Sequence, residues 1–161
     1  MNGEAAFQIM GDWAKGESLA AGKVPGTDFL CAPAPGGGYI LNSDSFTFFK
    51  VAGDENLKGQ QVLASLIMSP AFQKTFNLAK GSIPARTDVP LDDFDDCAKR
   101  SHEDLLKATA AGALLPSMAH EMAIPRSVRG EILDVVTTFF NSDMSSKDAA
   151  TALADAIARA M

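Results

Sequence analysis

A chain of 161 residues is long enough for one core or two small lobes. It is 47% hydrophobic and 21% charged, an ordinary soluble globular profile, and its net charge of −6 with no Lys/Arg patch argues against nucleic acid as a partner. No apolar run approaches the ~18 residues that would span a bilayer.

In chain order, "MNGEAAFQIMG" has no basic segment followed by an apolar one, so no signal peptide is expected; it enters an apolar run at once, like a chain joined midway. Ala5 to Met10 reads as a short buried strand, ended by Gly11, with Asp12 placed to cap a helix from Trp13 to Ala21. Phe29 to Ala32 reads as a second strand. "PAPGGG" breaks the chain, and Gly36 to Val51 is a third extended segment. Within it, Asn42, Ser43, Asp44 and Ser45 interrupt two apolar runs. A carboxylate there is costly to bury unpaired, so a donor, a cation, water or a ligand should meet it.

Helices are expected from about Glu55 to Met68 and from Ser69-Pro70 through Leu78, the second with proline in its first turn. A long helical pattern runs from Asp92 to about Ala111, and its acidic start suits a helix N-terminus. "GALLPSMAHEMAIP" reads as a loop or broken helix. Ile132, Val135, Val136, Phe139 and Phe140 then recur at helical spacing. Ser145 with Asp148 resembles a capping box for a last helix whose apolar stripe is Ala149, Leu153, Ala156, Ile157 and Ala160. Three short strands and many helices argue an α/β or α+β fold.

Patterns for catalysis, metals and cofactors are missing. His120-Glu121 and His102-Glu103 each lack the second histidine four residues on that a zinc peptidase helix needs. "LDDFDD" lacks calcium-loop spacing and reads as a solvated helix start. "PGGGY" matches neither nucleotide-binding glycine pattern, and no GxSxG elbow is present. Two cysteines, Cys31 and Cys97, are either two buried thiols or one disulfide closing a long loop; the second would place the protein outside the cytoplasm. Isolated polar or aromatic residues remain at element ends: Trp13, Asn42, Asp44, Lys80 and His120. Singly, each reads as core, cap, surface charge or structural histidine. Jointly they supply an indole face with acid, amide, ammonium and imidazole groups, the set that sugars take.

"AAFQIMGDWAKGE", "DFLCAPAPG", "NSDSF", "MSPAFQKTFNLAKGSIPAR" and "LLPSMAHEMA", five words in order over nearly the whole chain, resemble the C-terminal part of periplasmic glucose/mannose-type solute-binding proteins of ABC sugar importers. The resemblance implies a helix-rich α/β, periplasmic-binding-protein-like (type II) fold, here an incomplete two-lobed fragment with a few short strands. Residues 1–32 and 87–161 would belong to the C-terminal lobe and residues 33–86 to the N-terminal lobe. It implies a monosaccharide such as glucose or mannose in the interlobe cleft, a membrane permease and the missing N-terminal part as partners, a periplasmic location, no cofactor and no chemistry. Trp13 resembles the stacking indole; Asn42 and Asp44 resemble hydroxyl-binding groups; Lys80 resembles a donor to sugar oxygens, and His120 a further hydroxyl partner. Cys31 and Cys97 resemble a family disulfide. Glu121 departs from the pattern, where a small residue such as glycine is expected. The rival readings are a small hydrolase using Asp44 with His120, and an interaction domain with open apolar surface.

Overall fold

A computed structural model describes residues 3–161. Among them are six helices and two strands: α1 (Ala14–Ala20), β1 (Tyr39–Leu41), α2 (Asp54–Ile67), α3 (Pro70–Lys80), α4 (Asp96–Ala110), β2 (Leu114–Pro116), α5 (Arg126–Phe140) and α6 (Ser146–Ala160). β1 and β2 pair: Tyr39 N–H donates to the Ala113 carbonyl at 3.0 Å and Ser117 N–H to the Leu41 carbonyl at 2.8 Å. Residue numbers rise together along both strands, so the pair is parallel. The helix-rich α/β expectation holds at this level.

The helices follow their local signals. Ser69 caps α3 by accepting from Phe72 N–H, Pro70 opens it, and Gly81 ends it in the left-handed region at φ 85°. Ser145 caps α6, accepting from Asp148 N–H at 3.1 Å and donating to the Asp148 carboxylate at 2.7 Å. Asp95 caps α4 through Ala98 N–H at 2.9 Å, so this helix begins at Asp96 and not at Asp92.

The strands do not follow theirs. Ala5 to Met10 is irregular, with Phe7 90% and Ile9 89% exposed. Phe29 to Ala32 forms no strand, and Phe29 makes only a single bridge with Pro25. Of Gly36 to Val51 only Tyr39–Leu41 is a strand, and its partner Leu114–Pro116 lies in the segment expected to be loop or broken helix. A strand exists only where a neighbour takes up its N–H and C=O groups, and apolar content alone supplies none. Asp12 also departs from expectation: it does not cap α1, which begins at Ala14 without a side-chain cap.

The chain divides into two compact units. The first holds the residues up to Tyr39 with Ser43–Leu114, and the second Ile40–Asn42 with Leu115–Met161. In the first, α2 packs on α3, and Ile67, Val89, Phe94 and Ala98 are its buried apolar residues. Gln73 is buried too; it donates to the Ile67 carbonyl at 2.9 Å and accepts from Ala85 N–H at 2.9 Å, tying α3 to the loop after it. Cys31 and Cys97 form a disulfide with Cα atoms 5.5 Å apart, closing a span of 66 residues. In the second unit, α5 packs on α6 over Val128, Ile132 and Ala156.

Candidate functional site

The answer to the carboxylate in the apolar run is a lysine. Lys80 Nζ, at the last turn of α3, donates to Asp44 Oδ2 across 36 residues of sequence. The Asp44 side chain is 64% exposed and that of Lys80 28%. A pair this open contributes ~0–1 kcal/mol to stability. Its two groups are therefore suited to exchanging partners with the hydroxyls of a ligand. Lys80 also stands 5.9 Å above the Phe76 ring, one turn earlier on α3.

Trp13 enters the same unit through α1. Its indole lies against the backbone of Gly11, where an added Cβ would sit 2.1 Å from the ring. One turn on, Gly16 meets the C-terminus of α3. A Cβ on Gly16 would lie 2.4 Å from the Lys80 carbonyl oxygen, and one on Gly81 would lie 2.4 Å from Gly16 N. Two glycines thus let the helix bearing Trp13 cross the end of the helix bearing Lys80 at backbone contact. Trp13, Asp44 and Lys80 belong to the first unit, and Asn42 and His120 to the second.

Beneath α1 runs a polar network that the sequence reading missed. Asp12 accepts from the Ser101 hydroxyl at 3.2 Å and from Ile83 N–H, and Tyr39 Oη lies 3.0 Å from Ser101 Oγ. Burial pushes the Asp12 carboxyl above the ordinary carboxylate range; the Ser101 hydroxyl, the Lys15 charge, Ile83 N–H and the Lys80 charge pull it partway back. Burial also raises the Tyr39 hydroxyl. Lys15 is itself buried and holds both oxygens of Asp95 at 2.8 Å. The signal for this network, an acid next to Trp13, was present but reads locally as a helix cap.

In the second unit, the Leu41 carbonyl receives Ser117 N–H, so Asn42 follows directly on a bond to the turn that carries His120. His120 Nδ1 lies 2.7 Å from Ser117 Oγ, which fixes the ring. Ser117 is 3% exposed and is a support for the ring, not a nucleophile open to substrate. Glu121 has φ 61°, in the left-handed region where glycine is at ease, which explains why a small residue is expected there. Its carboxylate is 2.7 Å from Arg129 Nη2 and 3.8 Å from Arg126 Nε. Among the described residues, no group of three or more His, Cys, Asp or Glu side chains could hold a metal ion. No helix among them is long and apolar enough to cross a membrane.

Relatives show what the chain is similar to. It is 52% identical over 156 residues to a "Probable sugar-binding periplasmic protein" of Rhizobium meliloti, covering 96% of this chain and 37% of that protein. It is 51% identical over 159 residues to a protein of the same name in Brucella suis, covering 98% and 38%. The chain is thus similar to part of proteins named as probable sugar-binding periplasmic proteins. It spans under two fifths of the length of these curated relatives. A further relative, 36% identical over 155 residues (96% of this chain and 34% of that protein), is an uncharacterized ABC transporter extracellular-binding protein of Pyrococcus horikoshii. No protein-family model matches the chain.

Proposed function

We propose that the chain is part of the sugar-recognising component of an ABC importer. It works in the periplasm, binds a neutral monosaccharide of the glucose or mannose type, and performs no chemistry. The pairing of Asp44 with Lys80, open to solvent and contributed by two distant segments, carries this reading. The names of the relatives support its class. In it, Trp13 stacks on the C–H face of the sugar, Asn42 and Asp44 take hydroxyls, Lys80 donates to ring or hydroxyl oxygens, and His120 is a further hydroxyl partner. Residues 33–86 belong to one lobe and residues 1–32 with 87–161 to the other. Binding biases an open–closed equilibrium of the lobes, and a membrane permease reads the closed state. The rival reading is a hydrolase using Asp44 with His120; the engagement of Asp44 by Lys80 and of the His120 ring by Ser117 weighs against it.

The test is calorimetric titration of the product of the full-length gene with glucose, mannose, xylose and an unrelated amino acid. A hexose is expected to bind saturably. Asp44→Asn and Lys80→Met are each expected to weaken it by about 10- to 100-fold, the loss of one hydrogen bond to a charged group. The 161-residue chain alone, followed through the emission of Trp13, its only tryptophan, should bind about 100-fold more weakly, because pockets that hold small ligands bury most of their surface. A full-length product that ignores every hexose, or one indifferent to both substitutions, overturns the assignment.

A further inference from the structure

The turn carrying His120 is held from outside itself. Within it, Glu121 N–H donates to the Met118 carbonyl at 3.2 Å, Met122 N–H to the Ser117 carbonyl at 3.0 Å, and Ser117 Oγ meets His120 Nδ1 at 2.7 Å and His120 N–H at 3.4 Å. Immediately after the histidine, Glu121 is the one non-glycine residue at positive φ among the described residues, a conformation that disfavours every residue with a Cβ. A turn of this kind persists only where its surroundings over-determine it.

What over-determines it is Arg129. From the first turn of α5, its Nη1 donates to the Ala119 carbonyl at 2.8 Å and its Nη2 meets the Glu121 carboxylate at 2.7 Å. One guanidinium therefore grips the residue before His120 and the residue after it. Arg126 is no substitute: its Nε is 3.8 Å from the same oxygen and its side chain is 84% exposed, whereas that of Arg129 is 24% exposed. The base of Arg129 is rigid, since the adjacent Val128 is buried, as is Ile132 one turn on. Two partners in fixed directions suit the planar fork of arginine; a lysine, a single point charge, holds one of them at a time.

We infer that Arg129 is a positioning residue for His120: it straps the 117–122 turn and so orients the imidazole toward ligand. The inference rests on the reading of His120 as a sugar contact, and part of its test does not need sugar. In the ligand-free chain, nuclear magnetic resonance reads the His120 ring nitrogens and the exchange protection of the Met122 amide. Arg129→Ala is expected to shift the ring signals and reduce Met122 protection by about tenfold, the lower range for losing a charged hydrogen bond. Arg129→Lys should fall between, and Arg126→Ala should match the unmodified chain. Glu121→Gly combined with Arg129→Ala should restore the ring signals, because glycine adopts the left-handed conformation without a strap. In the full-length product, glucose affinity should fall in Arg129→Ala and recover in the double variant. Arg129→Ala that lowers thermal stability while leaving the His120 signals and Met122 protection unchanged overturns the inference, making Arg129 a structural ion pair only. Full-length product that binds no glucose, with the ring signals responding as stated, overturns the sugar assignment and leaves the strap in place.

Discussion

A carboxylate turned inward is the feature at the residue scale that most constrains behaviour. Asp12 sits beside the proposed stacking indole, held by Ser101 and Ile83 and within the influence of Lys15 and Lys80. Burial raises its native proton affinity above that in the unfolded chain, where it titrates near 3.8. Below that value Asp12 is protonated in both states and its contribution to stability is fully present; as pH rises through the raised native value, the buried charge must form and that contribution is lost. Asp88 and Asp93 have the opposite sign: Arg86 and Lys74 hold their carboxyls below the ordinary range, so their contributions are lost on acidification. Comparison of the unmodified chain with Asp12→Asn cancels those shared contributions. The asparagine keeps an acceptor for Ser101 and Ile83. Its melting temperature relative to the unmodified chain is expected to climb as pH rises above the ordinary carboxylate value and through the raised native one. A gap that stays constant or closes would show that Asp12 titrates as an ordinary surface acid. Nothing near Asp12 in sequence announces this role, because Ser101 is 89 residues away and the adjacent signal, an acid before a helix, has an ordinary local reading. Asp44 was legible only in part: a carboxylate between apolar runs needs a partner if it is buried, yet it stands 64% exposed, so its pairing with Lys80 does not follow from burial.

Among elements, helices were readable and strands were not, for one physical reason. A helix satisfies its backbone within its own segment, so the caps Ser69, Asp95 and Ser145 and the stop at Gly81 mark α3, α4 and α6 directly. A strand borrows its partner, and no property of Tyr39–Leu41 names Leu114–Pro116. The α1–α3 crossing is likewise hidden: Gly16 reads as a weak point in a helix, yet it is there because Lys80 O is against it. This gives a test by sign. Gly→Ala inside a helix ordinarily stabilises by about 0.5–1 kcal/mol. Gly59→Ala in α2, with nothing within 4 Å of the added carbon, should do so. Gly16→Ala should instead destabilise by about 1–3 kcal/mol through overpacking against backbone. Gly81→Ala should cost at least as much, since it adds a side chain at φ 85° to the same contact. Denaturant unfolding of the three variants checks the order. A stabilising Gly16→Ala would mean that the two helices do not meet at backbone contact.

The described residues bury little. Besides Pro84, seven apolar residues are buried among those described, and no large side chain is fully enclosed, while Phe7, Ile9, Leu30 and Phe49 are each at least 77% exposed. Natural domains of this size have net stabilities of about 5–15 kcal/mol, drawn mainly from apolar burial. With so thin a core, a covalent link in the first unit carries an unusual share. Closing the 66-residue span between Cys31 and Cys97 is worth ~4 kcal/mol on the chain-entropy account. The second unit contains neither cysteine. Reduction should therefore act on one unit and spare the other. Trp13, the only tryptophan, lies in the first unit and reports on it alone, while α5 and α6 lie wholly in the second. Adding a reductant, or making Cys31→Ser with Cys97→Ser, is expected to lower the unfolding midpoint followed by Trp13 emission by about 8–16 °C, at about 2–4 °C per kcal/mol. Part of the far-ultraviolet helical signal should persist beyond that midpoint. Coincident, unshifted transitions in oxidised and reduced protein would show that the disulfide only decorates a unit already held by its own packing. A complete loss of helical signal at the lowered Trp13 midpoint would show that the α5–α6 pair has no stability of its own.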